Sequence, residues 1–199
     1  MKRIKVSNNV IRRMPRYLRK LDELQEGGIS RVSSFELGQQ GYGYNVAALR
    51  EQIAAILGMD RGFRAILIGV GNIGHALMDN FSFRACGVEL AAAFDVKENL
   101  IGTEFKGVPI LPMDRLEEYL KKNEVAIAVL AVPKEAALKV TEVLTENGVE
   151  AIWNFTNMEL TEPNSPILVE NVHFSDSLLA LSYFVSERMD ENAAKPAQE

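Results

Sequence analysis

The chain has 199 residues, 47% hydrophobic and 25% charged, which is the balance of a globular protein of one large domain or two small ones. Its net charge of −5 is unevenly placed, because residues 1–44 hold nine basic against four acidic side chains and so form a basic head on an acidic body. No apolar run approaches a membrane span, MKRIKVSNNV lacks a signal-peptide core, and the single Cys86 excludes an intrachain disulfide or a cysteine-rich zinc site, so a cytoplasmic protein without a metal is expected.

From Asn9 to Gln25, Val10, Ile11, Met14, Leu18, Leu21 and Leu24 recur at spacings of three and four and predict an amphipathic helix stopped by Gly27 and Gly28. Pro15 lies inside it and either kinks it or marks its true first turn. Ser33 or Ser34 then caps a short helix through Leu37, since Ser-Ser-x-Glu resembles a capping box. Gly41-Tyr42-Gly43-Tyr44 reads as a turn or strand, and a further helix runs from Val46 to Leu57. The basic side chains of this head are equally consistent with a nucleic-acid contact and with an ordinary solvated helix face.

Beyond Gly58 to Gly62 the period changes. Short apolar runs at Arg64–Gly69, Glu89–Asp95, Val125–Ala131 and Glu150–Trp153 predict buried strands, and helices are predicted between them at Asn72–Cys86, Asp114–Lys122 and Lys134–Asn147. Such alternation implies an α/β fold with a doubly wound parallel sheet of Rossmann type. A last helix is predicted from Phe174 to Arg188. Its Phe174, Leu178, Leu179, Leu181, Tyr183 and Phe184 are more apolar surface than a terminal helix hides alone, so a dimer is expected, with packing onto the chain's own sheet as the other reading. The resulting domains are a head and linker helix over 1–60, a nucleotide-binding domain over 61–172, a dimerisation helix over 173–189 and a disordered tail over 190–199.

Gly69-Val70-Gly71-Asn72-Ile73-Gly74 is a Gly-x-Gly-x-x-Gly directly after a strand and at the start of a helix. In that context Gly69 makes the turn, Gly71 lets the backbone approach a pyrophosphate, Gly74 permits close packing, and the helix N-terminus favours phosphate charge. Asp95 ends the next strand, where a carboxylate accepts hydrogen bonds from an adenosine ribose and repels a 2′-phosphate, so NADH or NAD is expected rather than NADP(H). Ligands in open parallel sheets lie beyond the carboxyl ends of the strands, which assigns Ala131, Val132 and Pro133, with Asn154, Phe155 and Thr156, to the nicotinamide half. Gly102 is expected to turn the chain near the adenine. After the sheet comes little more than one helix, too short for a substrate domain, and no acid–base pair is evident; His75 reads as a surface or packing residue. An enzyme is therefore not expected, and no catalytic residue is assigned.

Several stretches in order resemble the Rex family of redox-sensing repressors from Val10 to Phe184: RRMPRYLRKLDEL and RVSSFEL, GQQGYGYNVAALREQIAAILG, GVGNIG, AAFD, KGVPI, AVLAVP, WNFT and VENVHFSDSLLALSYF. The resemblance implies an N-terminal winged helix-turn-helix, a Rossmann domain, a homodimer held by an exchanged C-terminal helix, and operator binding that NADH relieves. It also implies DNA contacts from Arg13, Arg16, Arg31, Ser33, Ser34, Gln40, Tyr42 and Tyr44, cofactor contacts from His173 and Phe174, and coupling of head to cofactor through Arg19 and His173. Some relatives couple through an arginine, an aspartate and a tyrosine; the matching positions here are Arg19, His173 and Asn80.

One departure is large. In the family about twenty residues, with the recognition helix, separate the segment matching Ser33–Gly38 from the one matching Gln39–Tyr44. A helix-turn-helix needs a short turn and then a recognition helix of about 11 residues, and Gly38–Gly41 holds neither. The clean join points to a stretch omitted from the chain rather than to a variant that has lost its reader. A nucleotide sensor for NAD or CoA that binds no DNA, and a small NAD-dependent reductase, are the other readings.

Overall fold

The computed structural model describes residues 6–32, 43–161 and 165–194. The chain divides into two units, residues 1–62 with 82–88, and residues 63–81 with 89–199.

The first unit begins with α1 (Asn8–Ile11) and α2 (Met14–Glu26). Pro15 stands in the first turn of α2, where its missing N–H has no helical carbonyl to reach, so it starts a helix rather than kinking one. Gly28, at φ +76°, supplies the left-handed residue beyond the helix end. Strand β1 (Arg31–Val32) pairs antiparallel with β2 (Tyr44–Asn45). The side chain of Asn45 caps α3 (Val46–Leu57) by accepting from the Ala48 N–H at 2.9 Å, and Gly58 closes it at φ +80°. Met14, Leu18, Leu21, Val32, Val46 and Ile53 form the core of this unit.

Only residues 33–43 join the paired strands β1 and β2, and the full sequence passes through them without interruption. The readings placed on Ser33, Ser34, Gln40 and Tyr42, and the short helix through Leu37, lie outside the described residues.

The second unit is built on β3 (Phe63–Ile68), β4 (Val88–Asp95), β5 (Glu104–Phe105), β6 (Val108–Pro112), β7 (Ile127–Leu130), β8 (Ala151–Asn154) and β9 (Leu168–Asn171). They form one sheet in the order β5-β6-β4-β3-β7-β8-β9. The pairs β4–β6, β3–β7, β7–β8 and β8–β9 are parallel, while β5 and β6 make an antiparallel hairpin. Helices α4 (Asn72–Asn80), α5 (Leu116–Lys122) and α6 (Lys134–Glu146) lie between strands in the chain, and α7 (Phe174–Ala194) ends it. Ile66, Ile68, Phe94, Leu130, Leu144 and Ile152 are at the centre of the core.

Several elements differ from the expectations. The predicted helix 72–86 stops at Asn80, because Phe81 turns extended (φ −97°, ψ 126°) and sets its ring 5.2 Å from that of Trp153; only Arg84–Cys86 recovers a 3-10 turn. Residues 113–115 are likewise a 3-10 turn before α5, since Pro112 is extended and starts the helix abruptly. The hairpin β5–β6 and the edge strand β9 have no counterpart among the predicted elements. Finally, α7 runs on to Ala194, so residues 190–194 are helical rather than part of a disordered tail. Among the described residues no helix is long and apolar enough to cross a membrane.

Candidate functional site

From β3 the chain moves outward through β4 to β6, then returns to the other side of β3 to begin β7. The sheet order reverses between β3 and β7, and the crevice beyond their carboxyl ends is where a parallel sheet accepts a ligand. The Gly-rich loop occupies that position.

Gly69 has φ +93°, and a Cβ built there would press on the Ala131 backbone at the end of β7, 2.5 Å from its carbonyl oxygen. A Cβ on Gly74 would collide with the carbonyl of Gly69, so helix α4 sits directly against the turn. Gly71 is different: nothing lies within 4 Å of the place its Cβ would take. The protein's own packing makes no demand for glycine there, whereas a backbone that receives a pyrophosphate does. The first helical bond runs from the His75 N–H to the Gly71 carbonyl at 2.8 Å, which leaves the N–H groups of Asn72, Ile73 and Gly74 to the helix N-terminus. Asn72 and Ile73 are exposed and Val70 is buried.

Asp95, 6% exposed, ends β4 and faces this loop. One of its oxygens accepts from the Val70 N–H at 2.6 Å and the other from the Lys97 N–H at 2.8 Å. An ionised carboxylate has about four acceptor positions, so two bonds leave capacity for a ribose hydroxyl. The residues present fit a dinucleotide: an open glycine, a helix N-terminus and an acid at the second strand's end.

Ala131 and Val132 are half-buried and Pro133 is exposed, all between β7 and α6. Asn154 corrects the expectation that its side chain lines the nicotinamide half. It is 1% exposed, donates to the Met158 carbonyl and to Asn171 Oδ1, each at 2.7 Å, and accepts from the Thr156 N–H at 3.0 Å and the Thr156 hydroxyl at 2.7 Å. Both amide protons and the carbonyl are consumed in shaping the loop after β8. Thr156 is buried with it, and Phe155 stacks edge-on against Trp153 at 4.6 Å and lies 6.1 Å from Phe174. Gly102 is exposed at φ +79°, but its N–H donates to the Ile110 carbonyl at 2.9 Å.

His173, just before α7, has Nε2 3.3 Å from Glu159 Oε2, and Glu159 Oε1 accepts from Asn171 at 2.5 Å. Sequence reasoning missed Glu159 and Asn171, which join His173 to the Asn154 cluster through hydrogen bonds. It also missed the aromatic row Phe81, Trp153, Phe155 and Phe174. Alternation in LVEN was the available signal for placing Asn171 on an edge strand. His75 is exposed on α4 with its ring 4.8 Å from Phe105. In the first unit Arg13, Arg16, Arg19, Arg31 and Tyr44 are all exposed.

Residues 60–158 match the CoA binding domain family, and residues 5–50 match a putative DNA-binding protein N-terminus. The redox-sensing transcriptional repressor Rex of Caldicellulosiruptor saccharolyticus is 40% identical, over 96% of this chain and 96% of its own. That of Clostridium tetani is 39% identical over 94% and 98%. The first alignment spans 211 residues against 199 in this chain, so the relative has a dozen or more without a counterpart here. Among solved structures, RSP, a Rex-family repressor, is 36% identical with a TM-score of 0.85 over 96% of this chain and 99% of its own. RSP has been crystallised with β-NADH, and with β-NAD+ and operator DNA; in the latter the TM-score is 0.82 at 35% identity, over 98% of this chain and 100% of that one. Identity of this extent, running through both units, places the chain in the Rex family of redox-sensing transcriptional repressors.

Proposed function

We propose that this chain is a cytoplasmic repressor that responds to the NADH/NAD ratio, holding operator DNA when NADH is low and releasing it when NADH binds. The observation that carries the cofactor half is Gly71, whose side-chain position is empty at the N-terminus of α4 in the crevice between β3 and β7. In this reading the loop 69–74 receives the pyrophosphate, Asp95 the adenosine ribose, and Ala131–Pro133 with Phe155, Thr156, His173 and Phe174 border the nicotinamide. When bound, the nicotinamide supplies a redox-dependent charge, and no chemistry on a substrate is required.

NADH shifts the DNA equilibrium only through a different affinity for the two arrangements of the protein. Arg19 on α2 and His173 before α7 are the residues assigned to sense that difference. The protein acts as a homodimer paired through α7, whose side chains are exposed along its described length, with Leu178 at 63%, Leu179 at 68% and Phe184 at 60%. The test is retention of duplex DNA during titration of NADH at fixed NAD and fixed salt; retention that ignores NADH overturns the sensing mechanism.

The match of residues 60–158 to the CoA binding domain supports a second reading, a sensor that takes CoA. Competition of CoA against bound NADH, followed by fluorescence of Trp153, the one tryptophan, separates the two.

A further inference from the structure

We infer that Glu159 is a positioning residue for the cofactor: it holds the His173 ring in the tautomer protonated at Nε2, so that Nδ1 is presented as the acceptor for the carboxamide N–H of the nicotinamide. The inference rests on the reading that His173 borders the nicotinamide, and it names what sets the state of the ring there.

The direction of every hydrogen bond in this network is fixed from its buried end. Asn154 is 1% exposed, and two backbone groups allow its amide one orientation: the Thr156 N–H, 3.0 Å from Oδ1, only donates, and the Met158 carbonyl, 2.7 Å from Nδ2, only accepts. Asn157, left-handed at φ +54°, turns the loop between them. Asn171 stands opposite Asn154 in the β8–β9 register and, 2.7 Å from Asn154 Nδ2, has to offer its oxygen. The Leu160 N–H, 3.4 Å from that same oxygen, requires the same orientation. Asn171 Nδ2 is thereby turned the other way, donating to Glu159 Oε1 at 2.5 Å and to the Thr161 hydroxyl at 2.9 Å.

Glu159 passes this direction on to the ring. A carboxylate accepts at both oxygens, so Oε2, 3.3 Å from His173 Nε2, is a second acceptor, and that nitrogen carries the proton. A neutral imidazole protonated at Nε2 keeps its lone pair at Nδ1. The backbone around the ring is anchored as well: the Val172 N–H donates to the Asn154 carbonyl at 2.9 Å, and the His173 carbonyl accepts from the Asp176 N–H at 3.2 Å in the first turn of α7. A glutamine at 159 has the same shape but one acceptor for two donors. With its oxygen kept on Asn171, its NH2 meets Nε2 and drives the ring proton to Nδ1. The carboxylate side chain is 64% exposed and the imidazole 29%, so this exchange leaves the core untouched.

Two measurements on the full chain test this. His75 and His173 are the two histidines, so a long-range proton–nitrogen correlation spectrum of isotopically labelled protein at alkaline pH resolves both rings, and His173→Gln assigns them. Expected is a protonated Nε2 with a bare Nδ1 at His173, and movement of the proton to Nδ1 in Glu159→Gln while His75 is unchanged. A wild type protonated at Nδ1, or a His173 pattern that Glu159→Gln leaves as it was, overturns the inference and leaves the sensing reading intact. In the second measurement NADH is titrated, and Glu159→Gln loses about two- to tenfold in affinity, the range of one neutral hydrogen bond. The reduced acetylpyridine analogue of NADH, which has no carboxamide N–H, is expected to bind both proteins alike. Equal NADH affinity in the two proteins, or an equal loss for NADH and the analogue, overturns the role toward the nicotinamide. A wild-type protein that binds no NADH overturns this inference and the sensing reading together.

Discussion

Asp95 accepts a hydrogen bond from the backbone N–H of Val70 at 2.6 Å, so a carboxylate at the end of β4 fixes the turn that leads into α4. In the proposed reading the group that meets a ribose therefore also shapes the Gly-rich loop. Asp95→Ala is expected to weaken NADH by about tenfold or more, since hydrogen bonds to a charged group contribute about 1.5–3 kcal/mol. NADPH should lose less, because the variant also removes repulsion of the 2′-phosphate. Titration of both cofactors checks this; an unchanged ratio of the two affinities refutes the selectivity role.

The three glycines of the loop separate folding from binding. Gly71→Val meets open space and should leave the melting temperature within a few degrees of wild type while NADH binding is lost. Gly74→Ala should do the reverse in kind, lowering the melting temperature, because its Cβ meets the Gly69 carbonyl. Calorimetry paired with NADH titration reads both, and a Gly71→Val protein that binds NADH normally removes the pyrophosphate from this loop.

Asn154 satisfies its whole amide inside the protein. Asn154→Ala leaves the Met158 carbonyl and the Thr156 N–H without their partner in a buried site, a cost of about 2–4 kcal/mol. Chemical denaturation measures it. A cost near zero would show that water replaces the side chain there.

Lys106 lies beside Asp79, with Nζ 2.7 Å from Oδ1, and its hydrogen bond and charge hold the Asp79 carboxyl below the usual carboxylate value. A depressed folded-state value means that the pair's contribution is present above the ordinary carboxylate range and disappears as pH falls through the lowered value. Lys106→Met should raise the Asp79 titration seen by NMR toward that of an ordinary aspartate. The melting temperature should barely move, since exposed ion pairs contribute little.

Leu178→Glu with Leu181→Glu on α7 should convert a sedimenting dimer into a monomer, because both side chains are mostly exposed within one chain. Wild-type protein sedimenting as a monomer excludes pairing through this helix.

The elements that were legible in the sequence are those whose pattern is set by burial on both faces. RAILIG, ELAAAFD and VAIAVLA have no polar alternation because the strands they form lie inside the sheet, and the Gly-rich loop is legible because Gly69 and Gly74 answer to steric demands of the fold at a strand-to-helix turn. The β5–β6 hairpin was hidden because its turn uses Lys106 and Gly107, at φ +49° and +84°, rather than an Asn-Gly pair. Strand β9 was hidden because four residues at a sheet edge carry only weak alternation. Asn154 was read as a ligand contact since position beyond a strand end is all that sequence offers; its partners Met158 and Asn171 are brought together only by the fold.

Helix α7 has a thermodynamic consequence for the cell. If α7, 21 residues and about 31 Å long and exposed among the described residues, pairs with a second copy as proposed, it gains its burial from association, and part of the folding free energy then scales with the logarithm of protein concentration. In that case expression level would become a second input beside the cofactor. A few copies per cell would be poorly assembled whatever the redox state, and rising abundance would switch the population into a form able to respond.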